Sequence, residues 1–320
     1  MRTALPLTVL ATALACSFTS APAQAQRARV FVASYGNDSN PCTFLSPCRT
    51  FQQAVDVVEP SGDVTAIDSA GFGPINITKA VTITSPAGVV AGIVPLVGQD
   101  AVDINAGATD KINLRGLLID GVGTGGDGIV FNSGASLNVQ DCLIRDFGAV
   151  NKSRGIVFQP TATSGLFVSD TLLADNMGPG IALHPTASSG TYTGVLEHVA
   201  IENSEAVGLA IAGVSLSGGA TLTVTVNNSV VANNVNHGIH ARTGSAAVDV
   251  LVRGSIIANN GGTGLLSEGS ATTALVSHSV ITGNATGWGV LSSGTLASYA
   301  DNNIDNNVAG NTAPPAIPTK

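Results

Sequence analysis

Residues 222–239 read Leu-Thr-Val-Thr-Val-Asn-Asn-Ser-Val-Val-Ala-Asn-Asn-Val-Asn-His-Gly-Ile and contain most of one unit of an internal repeat. Apolar and polar residues alternate from Leu222 to Val226, which is typical of a β-strand with one buried face. Asparagine and glycine then fill the joints, where the chain needs a positive φ angle or a side chain that bonds its own backbone. The unit therefore predicts short strands separated by tight turns.

The same order of residues recurs along most of the chain, with a glycine opening a short apolar run in each unit. These openings lie 27, 25, 28, 30, 26 and 25 residues apart, at Gly128-Ile129, Gly155-Ile156, Gly180-Ile181, Gly208-Leu209, Gly238-Ile239, Gly264-Leu265 and Gly289-Val290. A second register runs through Ile119, Ile144, Leu173, Ile201, Val231, Ile257, Ile281 and Ile304. Another strand residue stands five positions before each of these, and by this count Tyr299 is expected to point inward. Periods of this length indicate stacked units.

We predict an all-β fold, a single-stranded right-handed parallel β-helix of about ten coils. Three short strands per coil would pair with their equivalents in the coils above and below, at a spacing of about 4.8 Å. The right-handedness follows from the usual hand of crossovers between parallel strands. Leucine-rich repeats are excluded because the Leu-x-Leu-x-x-Asn pattern is missing, and propeller blades need about 40–45 residues each. Phe51, Ala54, Val55 and Val58 stand at helical spacing and predict a short cap helix over the first coil.

Stacking of the coils places equivalent residues in columns. One column holds asparagine in most coils and predicts a structural ladder of side-chain amides, with Ser204 as the exception: Asn176, Asn234, Asn260, Asn284 and Asn307. A second column mixes small polar and apolar residues and fits a tight inward corner: Cys142, Thr171, Val199, Ser229, Ser255 and Ser279. We therefore expect both columns to stabilise the fold.

The chain divides into four predicted segments: 1–25, 26–60, 61–310 and 311–320. The first has a short positive start, an apolar run and the small-residue pattern Ala23-Gln24-Ala25, which predict a signal peptide cleaved near Ala25. Lipidation at Cys16 is an alternative, although the residues before it match a lipobox poorly. The second segment is the cap, the third the β-helix and the fourth a Pro-rich tail. We therefore expect a secreted or periplasmic protein.

Three cysteines follow the predicted leader. Export exposes them to an oxidising compartment, so Cys42 and Cys48 are predicted to close a small disulfide loop. Two cysteines with no second pair nearby do not make a zinc site. Cys142 is left over, and its column predicts a buried free thiol.

The composition excludes several classes of function. Charged residues make up 11%, aromatic residues 4% and hydrophobic residues 44% of the chain, which is too apolar for a disordered protein. The formal net charge of −8 argues against a nucleic-acid partner, whose phosphates need a clustered basic face. No stretch beyond the N-terminus approaches 18 uncharged apolar residues, so no transmembrane segment is predicted in the mature chain.

Three features together resemble a known group of proteins. They are the opening Val30-Phe31-Val32-Ala33-Ser34-Tyr35-Gly36-Asn37-Asp38, the Pro-Cys…Pro-Cys loop with the Phe51 helix, and the repeated pattern Asn233-Asn234-Val235-Asn236-His237-Gly238-Ile239. They look like secreted bacterial right-handed parallel β-helix repeat proteins of the pectin-lyase-like superfamily, over about residues 30–310. The resemblance implies the β-helix fold. It also implies activities that range from polysaccharide lyases, hydrolases and epimerases to phage tailspikes and adhesins.

The motifs of the enzymes in this superfamily are mostly missing from the sequence. The Asn-Thr-Asp, Asp-Asp and Gly-His-Gly set of the hydrolases is not found. Neither the Asp-Pro-His-Asp pattern of the epimerases nor the Arg-x-Pro-x-x-Arg pattern of the pectate lyases is present. Fold resemblance alone does not establish an enzyme.

One column three positions before the second register carries ionisable residues. Asp141, Asp170 and His198 are equivalent in successive coils. Two carboxylates about 5 Å apart resist joint ionisation unless a proton or cation lies between them. Asp141 and Asp170 are therefore candidates for an acid and nucleophile pair with His198, or for calcium ligands. The alternative is that the aspartates bond turn backbone.

A second candidate cluster lies on the strand after the repeated glycine. His184, His240, Arg242 and Glu268 are predicted to face outward there, with alanines between them. A histidine beside a carboxylate can act as a base, and arginine can neutralise a uronate. A solvated cross-strand salt bridge is the alternative. Lys152 and Arg154 are a further positive pair, expected near the column of Asp141 and Asp170.

These candidates lead to three functional hypotheses. The first is an exported protein that engages polysaccharide along a flat face of the rod, for which few exposed aromatic residues argue against tight binding. The second is a polysaccharide lyase, hydrolase or epimerase acting on an acidic glycan through Asp141, Asp170 and His198. The third is an adhesin-like or structural rod with a cell-surface partner. No cofactor is expected with certainty, and calcium is the one candidate.

Overall fold

The computed structural model describes residues 27–318, and these form a parallel β-helix of stacked three-strand coils. Strands pair in parallel with their equivalents one coil away, as in the pairing of Ile129 with Ile156 and of Ile156 with Ile181. The predicted right-handed β-helix of about ten coils is confirmed, together with the one short helix near its N-terminal end. The predicted signal peptide lies outside the described residues.

The strands form three sheets, named here in the order in which each coil visits them. The first sheet has 11 strands: Arg27–Val32, Val58–Ala66, Val81–Thr84, Lys111–Arg115, Ser136–Gln140, Ser164–Ser169, Thr191–Glu197, Thr221–Asn227, Ala247–Arg253, Thr272–Ser277 and Thr295–Ser298. The second has 10: Ala70–Gly71, Ala91–Ile93, Leu117–Gly125, Leu143–Phe147, Leu172–Ala174, Ala200–Glu202, Val230–Ala232, Ile256–Ala258, Val280–Thr282 and Asn303–Asp305. The third has nine: Ile75–Ile77, Val102–Asn105, Ile129–Ser133, Ile156–Phe158, Ile181–Leu183, Leu209–Ala212, Ile239–Arg242, Thr263–Glu268 and Thr286–Leu291.

The core runs along the axis of the rod and is built from the inward residues of all three sheets. In the strand Thr221–Asn227, Leu222, Val224 and Val226 are fully buried while the threonines between them face outward. Each inward residue stacks on its equivalents, as Ile257 does on Val231 and Ile281. The alternation in the sequence therefore identifies the buried face correctly.

Two predicted equivalences in the last coils are wrong. Gly289 pairs with Leu266, and the residue that pairs with Leu265 is Trp288, so the register of the final strand is shifted by two positions. Tyr299 is half-buried and faces outward, because Ser298 is the partner of Val276. One extra residue in the corner between Ser298 and Ile304 breaks the five-residue count.

The glycines that open each third-sheet strand are required by close contact between coils. A Cβ atom on Gly238 would lie 2.7 Å from the carbonyl oxygen of Gly264 and 2.8 Å from the side-chain nitrogen of Asn260. A Cβ on Gly264 would lie 2.9 Å from the side-chain nitrogen of Asn284. Larger residues would push the coils apart, so the glycine repeat makes room for the asparagine column.

The asparagine ladder is confirmed, and its members are buried. The Oδ1 atom of Asn260 accepts from the backbone N–H of Asn234 at 3.1 Å and from its side-chain nitrogen at 2.9 Å. Asn284 binds Asn260 in the same way, at 3.0 and 2.9 Å. Each side chain thus satisfies the turn backbone of the coil before it, which a buried corner requires.

The small-residue column forms a second buried ladder on the opposite side of the second sheet. The hydroxyl of Ser255 accepts from the backbone N–H of Ser229 at 3.1 Å, and Ser279 does the same for Ser255 at 3.2 Å. Cys142 belongs to this column and is a buried free thiol, as predicted. Burial raises the pKa of its thiol to about 11.

The N-terminal cap combines the helix Phe51–Val57 with the disulfide loop. Thr50 caps the helix by accepting from the backbone N–H of Gln53, and Phe51 packs into the core. The predicted disulfide between Cys42 and Cys48 is present. The strand Arg27–Val32 already belongs to the first sheet, so the β-helix sheets begin before the cap helix. No helix in the described part of the chain is long and apolar enough to cross a membrane.

Ser204 interrupts the asparagine ladder, and Ser204→Asn is expected to stabilise the protein by about 1 kcal/mol. Within residues 27–318, the side-chain nitrogen of Asn176 and the hydroxyl of Ser204 are buried without hydrogen-bond partners. An asparagine at 204 would accept from Asn176, and Gly180 leaves room for it. Chemical denaturation measures the change, with Ser217→Asn in an exposed turn as the control. A lower midpoint for Ser204→Asn would contradict the prediction.

Candidate functional site

A corner of the coil between the first and second sheets holds the predicted catalytic column. Asp141, Asp170 and His198 have φ angles of 53°, 49° and 53°, and Asn228 and Gly254 continue the column at 48° and 58°. Asp, Asn, His and Gly are the residue types that adopt this left-handed region most readily. The backbone conformation by itself accounts for the residue types found here, and the catalytic role stays a prediction.

The side chains of this column are half-exposed and do not form one tight cluster. The Asp141 carboxylate binds Arg115 of the preceding coil, with Nε and Oδ2 3.0 Å apart. Asp170 lies 3.8 Å from Nδ1 of His198, which also lies 3.5 Å from Glu197. The structure therefore brings Asp170 and His198 together and pairs Asp141 with a cation.

The structure places the positive charge of Arg115 beside Asp141, one of the two proposed calcium ligands. Arg115 pairs with Asp141 in an exposed salt bridge, which a divalent ion would have to displace. Within residues 27–318, no group of three or more His, Cys, Asp or Glu side chains is arranged to hold a metal ion. Calcium binding stays a prediction.

The outer face of the third sheet collects the other predicted residues. One row of outward positions, here called the polar row, follows the rod axis coil by coil: Asn105, Asn132, Gln159, His184, Ala212, Arg242 and Glu268. Asn105 joins the row through its side-chain bond with Asn132, because the strand register shifts there and pairs its backbone with Ser133. The amide of Asn132 donates to Asn105 at 3.1 Å, and Gln159 donates to Asn132 at 2.8 Å. Four predicted binding residues, the two histidines among them, therefore share one face, with three outward amides that sequence reasoning missed.

Arg154 is held at the edge of this face by a buried carboxylate. Its Nη2 and Nε atoms lie 2.7 and 3.0 Å from the two oxygens of Asp127, whose side chain is only 2% exposed. The backbone N–H of Arg154 also donates to Asp127, at 2.9 Å. The remaining Nη1 lies 3.4 Å from Nε2 of His184. Asp127 thus fixes the guanidinium with one nitrogen directed at the polar row.

His184 beside Arg154 is held in its neutral form. Burial is the larger cause that lowers the pKa of His184, and the positive charge of Arg154 lowers it further. A neutral imidazole offers one donor and one acceptor at neutral pH. His184 is therefore suited to a hydrogen bond with a hydroxyl group rather than to charge pairing.

Lys152 lies at the same edge and pairs with Asp100. Its Nζ atom is 2.9 and 2.8 Å from the two carboxylate oxygens, and this hydrogen bond raises the pKa of Lys152. Asp103 lies beside this pair, and its pKa is raised mainly by burial and also by the charge of Asp100. The sequence analysis predicted that Lys152 and Arg154 lie near Asp141 and Asp170. In the structure they pair instead with two carboxylates at the edge of the third sheet, Asp100 and Asp127.

At the distal end of the polar row, Glu268 binds a histidine of the neighbouring outward column, His240. His240 Nε2 lies 2.9 Å from Glu268 Oε2. The pKa of His240 is lowered, because burial outweighs the opposing effect of Glu268. Arg242 is exposed and pairs in strand register with Glu268, without a salt bridge among the described residues. The predicted contact between His240 and Glu268 is thus present, and Arg242 stays available to a ligand.

Sequence reasoning missed Asp127, although the repeat contained the signal. Asp127 precedes Gly128 as Arg154 precedes Gly155, so the register makes them neighbours in adjacent coils.

Sequence reasoning also missed a cluster of Ser277, His278 and Asp301 at the edge of the first sheet. There Nδ1 of the histidine lies 2.8 Å from both the serine hydroxyl and the carboxylate. A catalytic triad needs these partners on opposite ring nitrogens, so this cluster is not one.

Comparisons with known proteins agree with this architecture. A family model described as a right handed beta helix region matches residues 100–251. Among solved structures, the crystal structure of pectate lyase Pel9A is similar, with a TM-score of 0.58, 13% sequence identity, and coverage of 84% of this chain and 74% of that chain. A comparison with curated proteins found no significant match. The chain is a right-handed parallel β-helix protein with a pectin-lyase-like fold.

Proposed function

We propose that this chain is an exported protein that binds polysaccharide lengthwise along the polar row. The row is the observation that carries the proposal. It presents amide, imidazole, guanidinium and carboxylate groups in one straight line, with successive coils about 4.8 Å apart. A linear glycan also repeats its hydroxyl groups along one axis, so the two patterns match over several coils.

The polar row is ordered before any ligand arrives. Asn132 and Gln159 already bond along the row, and Asp127 holds Arg154 in one orientation. Fixed side chains lose less conformational entropy on binding than free ones. The similarity to a pectate lyase further supports a polysaccharide ligand, because the protein named in that match acts on pectate.

The middle of the face limits the expected affinity. Ala182 and Ala212 are small and buried, which leaves a flat surface between the two charged ends. No aromatic side chain stands in the polar row to stack on a sugar ring. We therefore expect modest affinity for short oligosaccharides, increasing with the number of coils that a longer chain contacts.

Binding to a panel of neutral and acidic polysaccharides tests this proposal on the full chain. Gln159→Ala and Arg242→Ala together are expected to weaken retention at least fivefold by removing two contacts of the row. The matched control is Asn138→Ala with Arg115→Ala, which removes an amide and an arginine from the first sheet. Equal loss in both pairs, or no saturable binding to any polysaccharide, would overturn the proposal. Binding only to cells or a protein partner would favour an adhesin-like rod.

An enzyme acting on an acidic glycan is the second candidate, favoured by the approach of Asp170 to His198 at 3.8 Å. New reducing ends and unsaturated uronate absorbance are measured on the same samples, with and without calcium. Turnover that is lost in Asp170→Asn would establish an enzyme with its site in this column. Turnover unchanged by Asp170→Asn would contradict that assignment.

A further inference from the structure

A groove on the outer face of the first sheet lies away from the polar row. It has a volume of about 690 Å³ and is bounded by side chains of the last coils and by the C-terminal tail. Leu251, Leu275 and Tyr299 provide apolar surface, and Ile317 and Pro318 contribute from the tail. This volume is in the range that proteins use for small ligands.

The floor of the groove departs from the pattern of the same column near the start of the rod. There the outward residues are Thr82, Asn113 and Asn138, which bond one another at 3.2 and 2.6 Å. In the late coils Leu251 pairs directly with Leu275 in this outward column. An apolar depression of about 150 Å³ shares these two leucines and extends the groove toward earlier coils. Apolar residues also stand in this column in the middle coils, at Phe167 and Val195. The groove differs from those coils because Tyr299 and the tail add walls beside the two leucines.

The tail forms a wall that is already in place. The backbone N–H of Ile317 donates to the carbonyl of Ser298 at 2.9 Å, and Ala316 forms a parallel bridge with Ser298. Because the sheet edge fixes this segment, the groove does not require a ligand to form.

Two charged side chains at the polar end of the groove, Asp301 and Arg253, differ in the partners that the protein gives them. Asp301 accepts from the backbone N–H of His278 at 3.0 Å and from the hydroxyl of Ser277 at 3.1 Å, and these bonds lower its pKa. It also contacts the His278 ring at 2.8 Å. Arg253 is exposed at the same end and forms no salt bridge within residues 27–318. The guanidinium of Arg253 is therefore available to an anionic group of a ligand in the groove.

We propose that the groove binds a small organic acid with an apolar, ring- or chain-shaped body and a single anionic group. The anionic group pairs with Arg253, for which a planar carboxylate or sulfonate offers two acceptors. The apolar body lies over Leu251 and Leu275 and against Tyr299. This ligand class differs from a hydroxyl-rich polysaccharide, so the site is independent of the polar row.

Fluorescence titration of the full chain with 8-anilinonaphthalene-1-sulfonate tests the charge requirement. We expect saturable binding at one site, weakened at least fivefold in Arg253→Gln. The neutral probe N-phenyl-1-naphthylamine should bind Arg253→Gln as it binds the parent protein. Arg115→Gln, on the same sheet but far from the groove, is the matched control. No saturable binding, or equal loss in Arg115→Gln, would overturn the proposal.

Leu275→Thr tests the apolar floor, because threonine occupies the same column at position 225 and preserves strand propensity. It should weaken both probes at least fivefold with an unchanged unfolding midpoint. Val195→Thr makes a comparable change in the same column, in an earlier coil outside the groove, and should leave both titrations unchanged. Displacement of the anionic probe by a polysaccharide, or a dimer that Leu275→Thr dissociates, would show a different occupant and refute the proposal.

Discussion

Asn234→Leu is expected to destabilise the protein by about 4 kcal/mol, among the largest effects of a single substitution in this fold. The Oδ1 atom of Asn234 accepts from the backbone N–H of Ser204 at 3.0 Å, and its nitrogen donates to Asn260 at 2.9 Å. Leucine leaves that buried N–H without an acceptor. It also adds bulk beside Gly208, whose ideal Cβ position is already 2.6 Å from the Asn234 amide. Denaturant unfolding followed by circular dichroism measures the loss.

Asn236→Leu is the control for this substitution. Asn236 lies two residues away in the same turn, is exposed, and uses its backbone rather than its side chain to bond Ala206. Its replacement should change stability by less than about 0.5 kcal/mol. Similar midpoints for Asn234→Leu and Asn236→Leu would refute a structural role for the ladder.

The repeat made most of the fold predictable, because stacking of the coils brings residues that are one repeat apart in the sequence into contact. Residues one period apart are neighbours, so the equivalence of Val226 with Val252 and of Val231 with Ile257 could be read directly. The prediction failed where the period changed. The extra residue after Ser298 turned Tyr299 outward, and the last glycine of the series was assigned two positions too late. A short irregularity leaves no periodic trace, since no later coil follows to restore the count.

The candidate site was less predictable, because the same residue type can be present for its backbone conformation or for the chemistry of its side chain. Asp141, Asp170 and His198 attracted attention as ionisable neighbours, yet their left-handed backbone also selects these residue types. Lys152 and Arg154 were recognised as a positive pair, but their partners depend on how the preceding turn folds back over the third sheet. Register predicts which residues stack; it does not predict where a long side chain ends.

Arg154→Met is the second substitution with a large expected effect, a loss of about 3 kcal/mol near neutral pH. Asp127 is almost fully buried and loses both guanidinium contacts, at 2.7 and 3.0 Å, when the arginine is removed. The backbone N–H of residue 154 still donates to the carboxylate, but one such bond does not compensate a buried negative charge. Methionine keeps the length and apolar stem of the side chain, so the measured loss reports mainly the charge.

The double variant Asp127→Leu with Arg154→Met tests whether the ion pair between these two residues serves only folding or also positions Arg154 for a ligand. Replacing both partners of a buried pair by apolar residues removes the uncompensated charge, so the double variant should regain part of the loss of about 3 kcal/mol caused by Arg154→Met. The regain is incomplete, because leucine leaves the backbone N–H of residue 154 without its acceptor. Its polysaccharide retention should nevertheless stay low, because the guanidinium beside His184 is gone. Stability and retention restored together would mean that the pair serves folding alone. Stability restored without retention is the result expected if Asp127 holds Arg154 in place for a ligand on the polar row.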